Sequence, residues 1–491
     1  MRRKEQLNSI IEICPVRNVV ARFGNKWALL VILVLSENEP IRYNELGRKI
    51  PDISSRVLSN TLRILEADGL VNRRFYQEVP PRVEYSLTDT GRSLVPIIIK
   101  LTEWAQNNMK TIIEHRSKSE KNKYGGMMNI QEFHINFDES RFADLRKRIA
   151  ATRWPEGASF NGWQHGTPID PLREIMEYWS NGYDWKAKEA ELNKYPQYIC
   201  EVDDISLHFF HIPGKRPDAV PILMAHGWPD SFLRYAKTFP LLSDYSLVVP
   251  SMPGFAFSTL PEKGYINNSE TADLYQRLMT EVLGYKSYVA VGGDMGRGVV
   301  CYLATRHPES VRGLLLTDVG FAKDIATASD NQLTKEELDY KRAATEWMQK
   351  EGAYINIQST KPMSLGFGLS DSPVGMAGWL VEKYHDWSDW ERFSIDDLLD
   401  NLTLYWMTNC AQSSIRQYYG NSYTLSPMGK VTVPTAIARF PKDILPVPKP
   451  WIERNYPLVQ FSEMPYGGHF TAMEAPLPFA EALINFIGKI Y

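Results

Sequence analysis

The sequence predicts a multi-domain chain, a winged helix-turn-helix unit followed by a larger α/β unit built on a parallel sheet. Three observations predict it. Residues 117–126, Ser-Lys-Ser-Glu-Lys-Asn-Lys-Tyr-Gly-Gly, are polar, end in glycine and show no apolar periodicity, which is the composition of a linker. Before them, helical patterns lead into two strand-like runs rich in arginine. After them, short apolar runs that end in glycine-rich turns alternate with helical segments.

At 491 residues the chain is long enough for two or more cores. Its 44% hydrophobic and 23% charged content describes an ordinary globular protein. The net charge of −3 hides an asymmetry: residues 1–128 carry 21 Lys+Arg against 14 Asp+Glu, leaving 34 against 44 for the rest. A basic first quarter on an acidic body points to an anionic partner for the N-terminal unit alone. The four cysteines, Cys14, Cys200, Cys301 and Cys410, are too few and too scattered for a disulfide framework or a zinc site. No secretory signal is read, and the longest apolar run, Trp27–Leu35, is about half a membrane span. The expectation is a cytoplasmic protein with no membrane partner and no metal.

In the N-terminal unit, expected over 1–116, the order reads helix, helix, helix, hairpin, helix. Residues 54–67 place Leu58, Leu62 and Leu65 at i, i+4 and i+7, a narrow apolar stripe, while Arg56, Ser59, Asn60 and Arg63 occupy the other face. Leu70–Tyr76 and Arg82–Leu87 then read as strands around Val79-Pro80-Pro81, carrying Arg73, Arg74 and Arg82. A basic helix followed by a basic hairpin suits double-stranded DNA, the helix entering the major groove and the hairpin touching phosphates. Cys14-Pro15, Gly24-Asn25-Lys26-Trp27, Ser54 to Leu70 and Val83-Glu84-Tyr85-Ser86-Leu87-Thr88 resemble the HxlR family of bacterial transcription regulators over residues 12–110. That resemblance implies a homodimer, paired through the N-terminal helix and the apolar segment Leu94–Trp104, and a possible redox sensor at Cys14.

A linker is expected over 117–130. Met127-Met128 within it suggest that the downstream part was once a separate gene. Residues 138–155 then read as an amphipathic helix through Phe142, Leu145 and Ile149. Helices and extended pieces fill the region 131–215, and the regular α/β pattern follows over 216–491. Val220–Met224, Ser246–Pro250, Tyr288–Val291 and Leu314–Leu316 read as buried strands. Gly292-Gly293-Asp294-Met295-Gly296 joins the third to a helix, the G-x-nucleophile-x-G turn of an α/β-hydrolase fold.

An aspartate in that turn limits the chemistry. A carboxylate is ionised at neutral pH and attacks a saturated carbon, leaving an alkyl ester on the enzyme. Strained ethers and alkyl halides are therefore the candidate substrates. His226-Gly227-Trp228-Pro229 ends the first strand where an oxyanion hole belongs, formed by the backbone N–H groups of Trp228 and Met295, and His226 reads as a structural turn residue. The base is expected at His469, in the glycine loop Gly467-Gly468-His469-Phe470 after the strand Leu458–Phe461. Asp443, beyond the strand Val433–Phe440, is its orienting acid, which completes the order nucleophile, acid, histidine.

From about residue 131 onward these features resemble the microsomal type of epoxide hydrolase, through His-Gly-Trp-Pro, Gly-Gly-Asp-x-Gly, Gln358-Ser359-Thr360-Lys361-Pro362, Asp371-Ser372-Pro373-Val374-Gly375 and Gly-Gly-His-Phe. The resemblance implies an N-terminal meander and a helical lid at about 322–428. It also implies two lid tyrosines that donate to the epoxide oxygen, by position Tyr354 and Tyr418, with Tyr419 an adjacent rival for the second. A small apolar epoxide would be opened to a vicinal diol without a cofactor. The family often has Trp where this chain has Met295. Two other readings remain open, a haloalkane dehalogenase and an epoxide-sensing transcription regulator.

Overall fold

A computed structural model describes residues 26–50, 53, 55–78, 82–124, 130–156 and 161–491, and the chain divides into two compact units between Gly126 and Met127. Cys14 lies outside the described residues. Among the described residues no helix is long and apolar enough to cross a membrane.

In the first unit, α1 (Lys26–Glu37) buries Val31, Ile32 and Leu35. β1 (Ile41–Arg42) and α2 (Tyr43–Lys49) lead to α3 (Ser55–Ala67), which puts the Leu58, Leu62 and Leu65 stripe into the same small core. β2 (Val71–Tyr76) and β3 (Arg82–Leu87) form the expected antiparallel hairpin, with Arg74 opposite Glu84 and Tyr76 opposite Arg82. β1 adds to β3, giving the order β1-β3-β2. α4 (Asp89–Tyr124) closes the unit. It runs through residues 117–124, where a linker was expected. Lys, Glu, Asn and Ser can propagate a helix without an apolar stripe, because such a helix needs no buried face to stay solvated.

The second unit is one nine-stranded sheet covered by helices, in the order β12-β11-β10-β9-β7-β8-β6-β5-β4. β4 (Ile130–Phe133), β5 (Gln197–Val202) and β6 (Ile205–Ile212) pair antiparallel at one end, and β6 pairs antiparallel with β8. Between β4 and β5 lie α5 (Glu139–Ala150), α6 (Ile169–Asn181) and α7 (Trp185–Leu192). α5 is shorter than the predicted 138–155. Asp138 caps it by accepting from Ser140 N–H, and it closes at Ala151, ahead of Trp154-Pro155.

From β7 (Pro221–Ala225) and β8 (Ser246–Pro250) onward the sheet is parallel, through β9 (Tyr288–Gly292), β10 (Val311–Leu316), β11 (Thr435–Arg439) and β12 (Leu458–Glu463). Every residue of β8 and β9 is buried, as strands covered on both faces must be. β7 pairs with β8 on one side and β9 on the other, so the chain reverses its winding there. Ligands bind at such a switch point, beyond the carboxyl ends of the strands. Helices fill the stretch between β10 and β11, where a lid is expected at about 322–428. They include α9 (Lys335–Lys350), α10 (Ala353–Thr360), α11 (Pro373–Trp387) and α12 (Arg416–Tyr423), numbered after the helix α8 (Met295–Arg306) that follows β9.

Candidate active site

The β9–α8 turn holds Asp294 at φ 54° and ψ −125°, a backbone conformation an L residue adopts only under constraint. Three neighbours supply that constraint. Asp318, just beyond β10, accepts the Asp294 N–H at 2.6 Å. A Cβ on Gly296 would lie 2.1 Å from the Ala225 carbonyl oxygen, so only glycine lets α8 press against the end of β7. A Cβ on Gly227 would lie 2.4 Å from Asp294 Oδ1, so the second close approach also requires glycine.

The carboxylate of Asp294 is met by the two expected amides. Trp228 N–H donates to its Oδ1 at 2.8 Å, and the Met295 amide, next in the chain, also favours its charged form. On its other side His469 Nε2 stands 3.4 Å from Oδ2, long for a hydrogen bond, and has no other partner among the described residues. Burial alone would raise the Asp294 carboxyl. The His469 ring and the two amides outweigh it and hold the group below the ordinary carboxylate range.

β11 and β12 are adjacent and parallel, which brings Asp443 and His469 together although 26 residues separate them. His469 Nδ1 lies 2.7 Å from Asp443 Oδ1. Burial works to lower the imidazole, but the Asp443 charge and the Asp294 contact carry it well above its ordinary value. The His469 loop is pinned from several sides. Gly468 and Phe470 N–H groups donate to Glu474, His469 N–H to the Trp387 carbonyl at 2.7 Å, and Arg234 Nη1 to the His469 carbonyl at 2.9 Å. Arg234 is itself buried against Asp230.

His226 is buried, with Met252 N–H donating to its Nε2 and its Nδ1 3.0 Å from the Gly227 carbonyl oxygen. That fixes Nδ1 as the protonated nitrogen and leaves His226 no free atom for chemistry.

The lid brings Tyr354, on α10, and Tyr418, on α12, to one cavity of about 250 Å³ that Asp294, Met295, Asp443 and His469 also line. Their ring centroids are 6.0 Å apart. The Trp228 indole stacks on Tyr354 at 5.6 Å and meets the Tyr418 ring edge-on at 5.7 Å. Burial first, then the Asp294 charge, raises the Tyr354 phenol. Burial and the neighbouring Tyr354 likewise raise Tyr418, so both keep their protons and can donate. Tyr419 packs instead on Tyr265 and Tyr423.

Asp294, Met295, Asp443, His469, Tyr354 and Tyr418, all named from sequence, therefore line one cavity, and Trp228 reaches it through its amide on Asp294. Asp318 and Arg297, which also line it, were not anticipated. No motif flags either of them, although a buried carboxylate beside the switch point is what a strained turn needs to anchor its N–H.

In the first unit, Ser59, Asn60 and Arg63 are exposed along α3, with Arg63 Nη2 3.3 Å from Asn60 Oδ1 and Ser59 Oγ 2.7 Å from the Tyr43 hydroxyl. Arg56 lies on the same helix, its side chain outside those described. Arg73 and Arg74 are both exposed on β2. As neighbours in a strand they point to opposite faces of the hairpin, so the two cannot serve one surface equally.

Comparison with known proteins agrees with this division. Residues 22–113 match the HxlR-like helix-turn-helix, 130–235 the epoxide hydrolase N terminus, and 220–351 the alpha/beta hydrolase fold. A putative epoxide hydrolase of Stigmatella aurantiaca is 36% identical over 72% of this chain and 84% of its own length. Epoxide hydrolase 1 of Oryctolagus cuniculus is 32% identical over 74% of this chain and 89% of its own. The solved epoxide hydrolase of Aspergillus niger superposes with a TM-score of 0.68 at 27% identity, covering 74% of this chain and 97% of that one. Juvenile hormone epoxide hydrolase from the silkworm Bombyx mori gives 0.65 at 28% identity, over 74% and 94%. On these matches the chain belongs to the epoxide hydrolase family, and it carries an HxlR-like helix-turn-helix unit ahead of the hydrolase.

Proposed function

We propose that the hydrolase unit opens an epoxide to a vicinal diol through an ester on Asp294. The observation that carries this reading is a carboxylate, Asp294, held by the Trp228 amide and sharing one cavity with the phenols of Tyr354 and Tyr418. Tyr354 and Tyr418 donate to the epoxide oxygen and weaken its bonds to carbon. Asp294 attacks one ring carbon, the C–O bond breaks, and the alkoxide takes a phenolic proton that solvent later restores.

The first step also prepares the second. While Asp294 is anionic, His469 sits between two carboxylates and stays protonated. Ester formation removes one of those charges, the imidazolium loses its proton to solvent, and the neutral ring can then act as base. It takes a proton from water, the hydroxide adds to the ester carbonyl, and the Trp228 and Met295 amides hold the resulting oxyanion. Collapse breaks the acyl C–O bond, the protonated His469 returns its proton to the departing alkoxide to free the diol, and Asp294 releases its own proton to return as a carboxylate.

A single turnover in ¹⁸O-water tests the sequence of bonds. The label is expected on Asp294 and not in the diol; label in the first diol would mean direct attack by water. A bromoalkane should be a poor substrate beside an aryl epoxide, since the Met295 side chain offers no donor for a halide.

Tyr354→Phe removes one of two donors and is expected to slow ring opening about 10- to 100-fold. The Tyr354→Phe/Tyr418→Phe double variant should lose far more than either alone, because the remaining phenol compensates in the single variants. Stopped-flow loss of indole fluorescence follows this step separately from ester hydrolysis.

We further infer that the first unit binds double-stranded DNA through α3 and the hairpin, as a homodimer paired through α4. Supporting this are the exposed polar face of α3 and the exposed Ile97, Ile99, Leu101 and Trp104 of α4. If Arg63 contacts a phosphate, Arg63→Ala should reduce the salt slope of binding by about 1. An unchanged slope removes Arg63 from the interface. Footprinting with and without an epoxide separates a sensor from two modules that share a chain, since a sensor must change its DNA affinity when the ligand is added.

A further inference from the structure

The cavity holds charge that ring opening and ester hydrolysis leave unused. Arg297, in the first turn of α8, lines it together with Asp294, Tyr354 and His469. Its side chain is 23% exposed, and among the described residues no protein acceptor takes a hydrogen bond from the guanidinium; Nε is covered and unpartnered. The nearest carboxylate is Asp318, with Oδ1 3.7 Å from Nε, beyond hydrogen-bonding distance. Asp318 is committed elsewhere, since its Oδ2 accepts Asp294 N–H at 2.6 Å and its Oδ1 accepts Gly320 N–H at 2.9 Å.

Holding Arg297 there is costly in three ways. A cation in the first turn of a helix opposes the helix dipole. The covered Arg297 Nε loses hydration and gains no bond in return. Space is also reserved for it, since a Cβ on Gly320 would lie 2.2 Å from Arg297 Nη2. A second guanidinium, Arg439 at the end of β11, lines the same cavity with its Nη2 donating to the Val447 carbonyl at 2.6 Å. The charged groups on the wall are Asp294, Asp318 and Asp443 against Arg297, Arg439 and a protonated His469. They balance, so the wall does not by itself repel an anion.

We propose that the preferred substrates are epoxides bearing a carboxylate, whose two oxygens take the planar fork of Arg297 while the ring lies between Asp294 and the tyrosines. The Nη1–Nη2 edge, left open to the cavity while Nε is covered, matches a carboxylate with two parallel N–H···O bonds, which gives those nitrogens acceptors that the protein does not. This refines the apolar epoxide expected from sequence, and it rests on the ring-opening chemistry assigned to the same cavity.

Diol formation from a homologous series of terminal epoxy acids, each compared with its primary amide, reads the preference directly. The best acid is expected to exceed its amide in kcat/KM by about tenfold or more. Arg297→Met should bring that ratio to near unity, and Arg297→Lys, which keeps the charge but not the fork, should retain part of it. Because the ratio is taken within each variant, a general loss of activity or stability cancels. Equal kcat/KM for acids and amides in the wild type would overturn the proposal, as would a preference that survives Arg297→Met. A preference lost only in Arg439→Met would move the site to β11 and equally overturn the assignment to Arg297. Styrene oxide separates the two levels of failure. If it is opened without any acid preference elsewhere, only the carboxylate proposal fails; if no epoxide is opened, the ring-opening chemistry fails with it.

Discussion

Asp294→Ala is expected to eliminate diol formation, lowering turnover on the order of 10⁵-fold or more. The loss should be this large because, in the proposed mechanism, the side chain forms the bond to substrate, and nothing else on the cavity wall is placed to replace it. Asp443 and Asp318 also line the cavity, but Asp443 faces His469 Nδ1 and both Asp318 oxygens are held by backbone amides. The variant should still fold, since Ala is smaller and removes a buried charge. A retained cooperative melt, with no covalent adduct by intact-mass analysis, is the expected pair of results. Turnover within about tenfold of the wild type would remove Asp294 from the chemistry.

His469→Gln should have the second largest effect and a different signature. Ring opening needs the Asp294 carboxylate and the phenols, so the ester should still form. Hydrolysis of that ester needs the base, whose loss costs about 10²- to 10⁴-fold. The variant should therefore show one rapid turnover and then stall, with intact mass increased by that of the epoxide. The two steps also differ in their pH dependence. Interactions with His469 and the backbone amides hold the Asp294 carboxyl below the ordinary carboxylate range, so it takes up its proton at lower pH than a free carboxylate would. Ester formation should therefore decline on acidification only below the pH at which a free carboxylate loses its charge. Ester hydrolysis should instead slow on acidification as His469 gains its proton. Failure of an adduct to accumulate in His469→Gln would mean that the histidine is not the base of the second step.

Much of the hydrolase site can be read from sequence because its parts are local and sit at strand ends. The turn around Asp294 needs glycine at Gly292 and Gly296, the oxyanion amide follows β7 in His226-Gly227-Trp228-Pro229, and His469 lies in a glycine loop after β12. Periodicity placed β8, β9 and the arginine-bearing hairpin to within a residue or two. It erred where composition misled. Residues 117–124 are polar enough to resemble a linker yet continue α4, and α5 ends at Ala150 although apolar spacing persists toward Trp154. Tyr354 and Tyr418 became candidates through neighbouring motifs, since a phenol in a lid leaves no periodic trace. Asp318 and Arg297 had no motif to mark them. Their significance lies in which atoms they face, and that emerges only when β9 and β10 are laid side by side.

Trp228 joins the two halves of the proposed reaction. Its amide holds Oδ1 of Asp294, while its ring supports the Tyr354 face and the Tyr418 edge. Any shift of α10 or α12 away from that indole would leave the attacking group in place but strip away the proton donors. An open lid would therefore admit or release small molecules without committing them, and a substrate too bulky to let the helices seat would be bound yet left intact. Discrimination against oversized epoxides would then show in the rate of bond breaking more than in affinity.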